Sequence, residues 1–228
     1  MRIDAPQSPG QPDGPQRHRT IQDALHRYGF VGLLREALTR IRRKLFDQRS
    51  VILFHATPSG VQSRSFPPDY AIRTLPRAEV AGMRSTPFFG ILYSALQDGP
   101  STQELHAAIH EGQVVAWGIS FVGAKDWPIP EVAAKLSLDP EDAVLTSFFT
   151  LPEFRGRRLY QGLMVIMAKH VASKGARSIQ IWCDEKNLAS RSAIERVGFR
   201  PIATLRCMVI LGRCFRLATR VLTKASTT

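Results

Sequence analysis

Between an apolar run that ends at a proline and the first turn of a helical pattern, the stretch LPEFRGRRLYQGLM (residues 151–164) gathers three arginines and a glycine. The leading N–H groups of a helix lack an intrahelical partner and carry the positive end of its dipole, so this turn is suited to a pyrophosphate. Arg155, Gly156, Arg157, Arg158, Leu159 and Tyr160 are therefore candidate anion-binding residues. His106 and His110 fall one turn apart if their segment is helical, which suggests a base or metal pair. Leu105 and Ile109 beside them favour an exposed helix face instead.

These residues need elements to hold them. VILFHA (51–56), YAIRTL (70–75), QVVAWGISFVG (113–123), AVLTSFFTL (143–151) and RSIQIWC (177–183) read as strands. PRAEVAGM should open a helix at Pro76, and STQELHAAIHEG (101–112) has Leu105, Ala108 and Ile109 at helical spacing with Gly112 as its stop. Residues 159–174 predict a helix with Leu159, Leu163, Ile166, Met167, His170 and Val171 facing the core. NLASRSAIERVGF predicts another, ending at Gly198, and PIATLRCMVILG supplies one or two last strands. The stretch AKDWPIPEVAAKLSLDPED, with three prolines, predicts a connection over the surface. Helices and strands in this order imply an α/β or α+β fold with a mixed sheet in three layers.

The chain has 228 residues, 44% of them hydrophobic, enough for one domain with a real core plus an extension. Residues 1–19 predict a disordered tail, residues 20–49 a basic helical extension, and residues 50–228 the folded domain. Within the extension Leu34, Leu38, Ile41 and Leu45 mark one helical face, with Arg35, Arg42, Arg43 and Lys44 flanking or opposing it. The formal net charge is +12; no acid follows Glu195, while six arginines and Lys224 do. Such charge suits an anionic partner, and the helix over 30–49 could lie on an anionic membrane surface; its apolar stripe could equally pack on the domain. No stacking run of aromatics or RNA-binding motif supports nucleic acid. Cys183, Cys207 and Cys214 form no C-x-x-C pair, so neither a disulfide framework nor a metal centre is expected, and a reducing compartment is. With no signal-like stretch and no apolar run of spanning length, the expected location is the cytoplasm, peripheral to the inner membrane through the basic segment.

From about Tyr70 to Arg206 the chain resembles the GNAT superfamily of N-acetyltransferases. Two blocks carry the resemblance: SFFTLPEFRGRRLYQGLMVIMAKHVASKGARSIQIWC, and NLASRSAIERVGF with its Asn start and Gly-Phe end. The resemblance implies a mostly antiparallel sheet with splayed central strands, and transfer of an acyl group from acetyl-CoA or another acyl-CoA to an amine. It implies that Phe149, Thr150 and Leu151 offer main-chain groups to the pantetheine and that Asn187 bonds the same arm, although Asn187 also suits a helix N-cap. In the family's loop Arg155 takes the first place, Arg158 stands where Gly is usual, and Tyr160 ends it. The family's usual acid, a Tyr, is replaced by Ile194. Tyr160, Ser147, Thr146 and Cys183 are substitutes, and Asp184 or Glu185 candidate bases. The implied acceptor is an amine of cell-envelope or polysaccharide metabolism; the alternative is a scaffold that holds coenzyme A without turnover.

Overall fold

The computed structural model describes residues 46–62, 66–75, 79–80, 102–123, 125–211, 213–217 and 219–222. The predicted tail (1–19), most of the basic helix (20–45) and nearly all of the helix expected from Pro76 lie outside these residues. The last four residues of the expected extension, 46–49, belong to a strand.

Among the described residues, eleven strands form in chain order. They are β1 (Phe46–Ala56), β2 (Ala71–Leu75), β3 (Glu104–His110), β4 (Gln113–Val122), β5 (Lys125–Ile129), β6 (Ala134–Leu138), β7 (Asp142–Thr150), β8 (Ser178–Asp184), β9 (Arg200–Ile210), β10 (Arg213–Arg216) and β11 (Arg220–Val221). Helix α1 spans Leu159–Ser173 and α2 spans Leu188–Arg196. The main sheet runs β10-β9-β1-β8-β7-β4-β3-β2, with β11 also on β9, and β5 and β6 make a separate hairpin. The first strand thus sits inside the sheet, antiparallel to β8 from Val51↔Asp184 to Ala56↔Ile179. This is the mixed, mostly antiparallel sheet flanked by helices that the motifs imply.

Both faces of the sheet are covered, which explains the unbroken apolar run VILF in β1. Ile52, Phe54 and Ala56 join Leu163, Met164, Met167 and Val171 of α1 and Ile194 of α2 on the helix face. Val51, Leu205, Cys207 and Val209 point the other way, onto Ile129, Val132 and Ala134 of the β5–β6 hairpin. Phe121 and Val144 meet Trp127 and Leu138 of the same hairpin.

Three expectations are corrected. Residues 104–110, read as part of a helix, form β3, paired with β2 and β4. A strand covered on both faces buries Leu105, Ala107 and Ala108 alike, and that pattern mimics helical spacing. Glu111 and Gly112, both at positive φ, make the two-residue hairpin turn where a helix stop was expected. Residues 125–138, read as surface connection, form the β5–β6 hairpin; Pro128 is tolerated because β5 pairs on one side only. Cys207 and Cys214, expected to stay unpaired, form a disulfide between β9 and β10, leaving Cys183 as the free thiol.

Candidate functional site

β7 and β8 run in parallel but pair only at Asp142↔Ser178, Ala143↔Ile179 and Val144↔Gln180. Beyond these the strands part, and a bulge in β7 helps to explain why. Ile119 pairs with Thr146 and Trp117 with Phe149, so Gly118 faces both Ser147 and Phe148. Ser147 takes up the extra residue at φ 53. Glycine at 118 is what allows this packing, since a Cβ there would stand 2.6 Å from the Phe148 ring and 2.9 Å from Met167 Sδ. Phe148 then packs edge-on against Tyr160, with 4.8 Å between ring centroids.

The parted strands open a cavity of about 960 Å³. It reaches both faces of the sheet. Phe148, Tyr160 and Cys183 belong to the core on the helix face, while Trp182 packs with the hairpin on the other; all of these, with Glu131 of the hairpin turn, line the cavity.

The arginine turn lies at the helix end of this cavity. Leu151, Pro152 and Phe154 lead through a single 3-10 turn, Gly156 bends the chain at φ 78, and α1 begins after Arg158. Arg158 itself adopts the left-handed conformation, φ 62 and ψ 14. Where the family's loop usually has Gly, Arg158 thus takes up the positive φ that a glycine would. Arg155, Gly156, Arg158, Leu159 and Tyr160 all line the cavity, as do Phe149 and Thr150. Arg155 Nε donates to Thr150 O at 3.3 Å, tying the turn to the end of β7.

Two residues expected here are turned elsewhere. Leu151 is buried in the core, with its N–H donating to Val115 O. Arg157 donates to the Tyr70 hydroxyl at 2.8 Å and lies over the Phe154 ring, so it braces the turn from outside the cavity.

Among the candidates for proton movement, Tyr160, Ser147, Thr146, Cys183 and Asp184 reach the cavity wall; Glu185 does not, and receives Arg206 Nη2 at 3.4 Å instead. The Tyr160 hydroxyl lies 3.0 Å from Ser190 Oγ. Burial pushes the Tyr160 phenol well above its usual range, an effect the bond to Ser190 only partly offsets. Burial likewise raises the Cys183 thiol, again opposed by Ser190. Ser190 thus links the two, and its hydroxyl went unnoticed in the sequence because nothing there sets one helix serine apart. Asn187 caps α2, accepting from Ser190 N at 3.0 Å, and lines the cavity as well. Asp184 Oδ1 accepts from Lys186 N at 2.7 Å. Ile194 is fully buried, so its position carries no hydroxyl to the cavity.

His106 and His110, expected on an exposed helix face, are strand residues. His106 is fully buried, its Nδ1 3.1 Å from Thr74 Oγ1 and its Nε2 2.8 Å from Ser120 Oγ. Burial, then the neighbouring His170, lowers its pKa from 6.5 to about 4. Glu104 receives His170 Nε2 at 2.7 Å and Lys174 Nζ at 2.6 Å. Glu104, His106 and His170 have ligand atoms within 4.8 Å of one another, as a cation site would. However, the Lys174 ammonium already sits on the carboxylate and both His106 nitrogens are bonded, so this is a hydrogen-bonded strut between β3 and α1. His110 stacks on Tyr70.

Comparison with known proteins agrees with this geometry. A family model described as the acetyltransferase (GNAT) family matches residues 70–199. No curated protein matches the chain in sequence. Among solved structures, a Drosophila protein superposes with a TM-score of 0.50 at 13% identity, covering 80% of this chain and 58% of that one. A functionally unknown conserved protein from Staphylococcus epidermidis gives 0.51 at 14% identity, covering 86% and 81%. A GCN5-related N-acetyltransferase-like protein from Streptococcus suis gives 0.51 at 12% identity, covering 76% and 66%. At these identities the likeness is one of fold, and the chain spans little more than half the length of the Drosophila protein.

Proposed function

The chain belongs to the acetyltransferase (GNAT) family, and from that premise we propose that it moves an acyl group, acetyl in the simplest case, from acyl-CoA to an amine. The observation that carries this is the cavity through the parted strands, with the N-terminus of α1, Arg155 and Arg158 at one end. The residues present fit the coenzyme: α1 begins with unpartnered N–H groups, two guanidinium groups line the approach, and no atom lies within 4 Å of where a Cβ on Gly156 would be. Acyl-CoA supplies the activated thioester.

The protein's part is to orient and to manage one proton. Main-chain groups of Phe149 and Thr150, freed from pairing with β8, align the pantetheine arm, and Asn187 keeps its amide donors for the same arm while its Oδ1 caps α2. Tyr160, held protonated by burial, is the group we assign to the departing thiolate, in the role that Ile194 leaves unfilled. Ser190 orients that hydroxyl. The two readings separate in a calorimetric titration with acetyl-CoA followed by an amine screen. Micromolar binding, weakened about tenfold in Arg155→Ala, together with thiol release supports the transferase. Binding without turnover of any amine supports a coenzyme-holding scaffold, the reading that the buried Ile194 favours. Absence of binding overturns both. The cations of residues 30–49 support an acceptor of cell-envelope or polysaccharide chemistry, met at an anionic membrane surface.

A further inference from the structure

The two ends of the cavity are chemically unlike. Toward the helices it carries Arg155, Arg158 and Arg196; through the sheet, on the hairpin side, it carries Glu131 of the hairpin turn and Trp182, which packs against the hairpin. Glu131 sits on a fixed support. Its 3-10 turn, Pro130–Val132, is anchored by the buried Val132, closed by Ala133 N donating to Pro130 O at 3.3 Å, and touched by Cys207 Sγ 3.8 Å from Glu131 O. Asp184, the other carboxylate on the wall, is engaged in its own turn by Lys186 N. Among the described residues, Glu131 has no ion-pair partner. A carboxylate that shares a cavity wall with an aromatic ring, on the side away from the arginines, suits a cation.

Resting on the transferase reading above, we propose that Glu131 selects an acceptor with two amines, a diamine or polyamine type of molecule. One nitrogen remains protonated against Glu131, while the other reaches the thioester as a free base. The second charge also assists the chemistry, because a nearby ammonium lowers the proton affinity of the reacting nitrogen. That nitrogen's lone pair forms the C–N bond to the acyl carbon, and the C–S bond breaks. One N–H proton ends on the sulfur, giving amide and free thiol with nothing else consumed.

The experiment is thiol release at saturating acetyl-CoA with butylamine and with 1,4-diaminobutane, alongside acetyl-CoA titrations of wild type, Glu131→Gln and Glu131→Asp. The expected result is a kcat/KM about tenfold higher for the diamine at low salt, narrowing at high ionic strength. That advantage should vanish in Glu131→Gln and return in part in Glu131→Asp, with acetyl-CoA affinity the same in all three. Equal use of the two amines by wild type, or a diamine advantage that survives in Glu131→Gln, overturns the inference and leaves the transferase standing. Bound acetyl-CoA with neither amine consumed also overturns it. Failure of wild type to bind acetyl-CoA removes the transferase reading and this one together.

Discussion

Arg158 is a large residue in a conformation that suits glycine. A left-handed backbone on a non-glycine residue costs roughly 1–2 kcal/mol, and the turn retains it at the mouth of the cavity. Arg158→Gly should therefore raise stability by about 1 kcal/mol in urea unfolding while weakening acetyl-CoA binding about tenfold by removing a guanidinium. Tighter binding in the glycine variant would instead identify the side chain as an obstruction. Tyr160→Phe should reduce kcat about a hundredfold with acetyl-CoA affinity unchanged; an unaltered kcat in stopped assays would remove Tyr160 from the mechanism. That Arg155, Gly156, Arg158 and Tyr160 share one cavity wall could be read from the sequence because they are contiguous. Adjacency does not say where each group points: the Leu151 N–H goes to Val115 O and the Arg157 guanidinium to Tyr70, far away in sequence.

At the scale of elements, β3 and α1 are joined by the strut of His106, His170, Glu104 and Lys174. His106 titrates at about 4 in the fold against 6.5 unfolded. Between those values the unfolded chain binds more protons, so this contribution to stability is whole above pH 6.5 and declines as pH falls toward 4. The loss reaches at most about 3 kcal/mol. His106→Asn should flatten that slope in unfolding midpoints measured from pH 7 to 4; a slope unchanged by the substitution would assign the acid sensitivity to other groups. This strut was hidden because residues 104–110 read as a helix: a strand with both faces covered loses the alternation that marks a strand. The β5–β6 hairpin was hidden by its prolines, which argue against a central strand but not against an isolated pair. Where flanking residues punctuate clearly, as in β4, β7, β8 and both described helices, sequence and structure coincide.

The whole molecule is strongly basic, and six of its cations fall between Arg35 and Arg49. The protein should sediment with vesicles containing phosphatidylglycerol and not with pure phosphatidylcholine. The double variant Arg42→Glu, Arg43→Glu should lower partition more than tenfold, at roughly 1 kcal/mol per cation. Preference for RNA over vesicles at equal salt would contradict this. The topology has a separate outcome, concerned with time and not with binding. Because β1 is inserted between β8 and β9, the first described strand to leave the ribosome finds its neighbours among the last. Val51 waits for Asp184, and the hairpin that carries Glu131 waits for Leu205 and Cys207 to complete its packing. Pairings so distant along the chain slow folding, and they leave β1, an apolar strand, unpaired for most of translation. A nascent chain of this protein is therefore expected to need a chaperone's cover until its final third has been made.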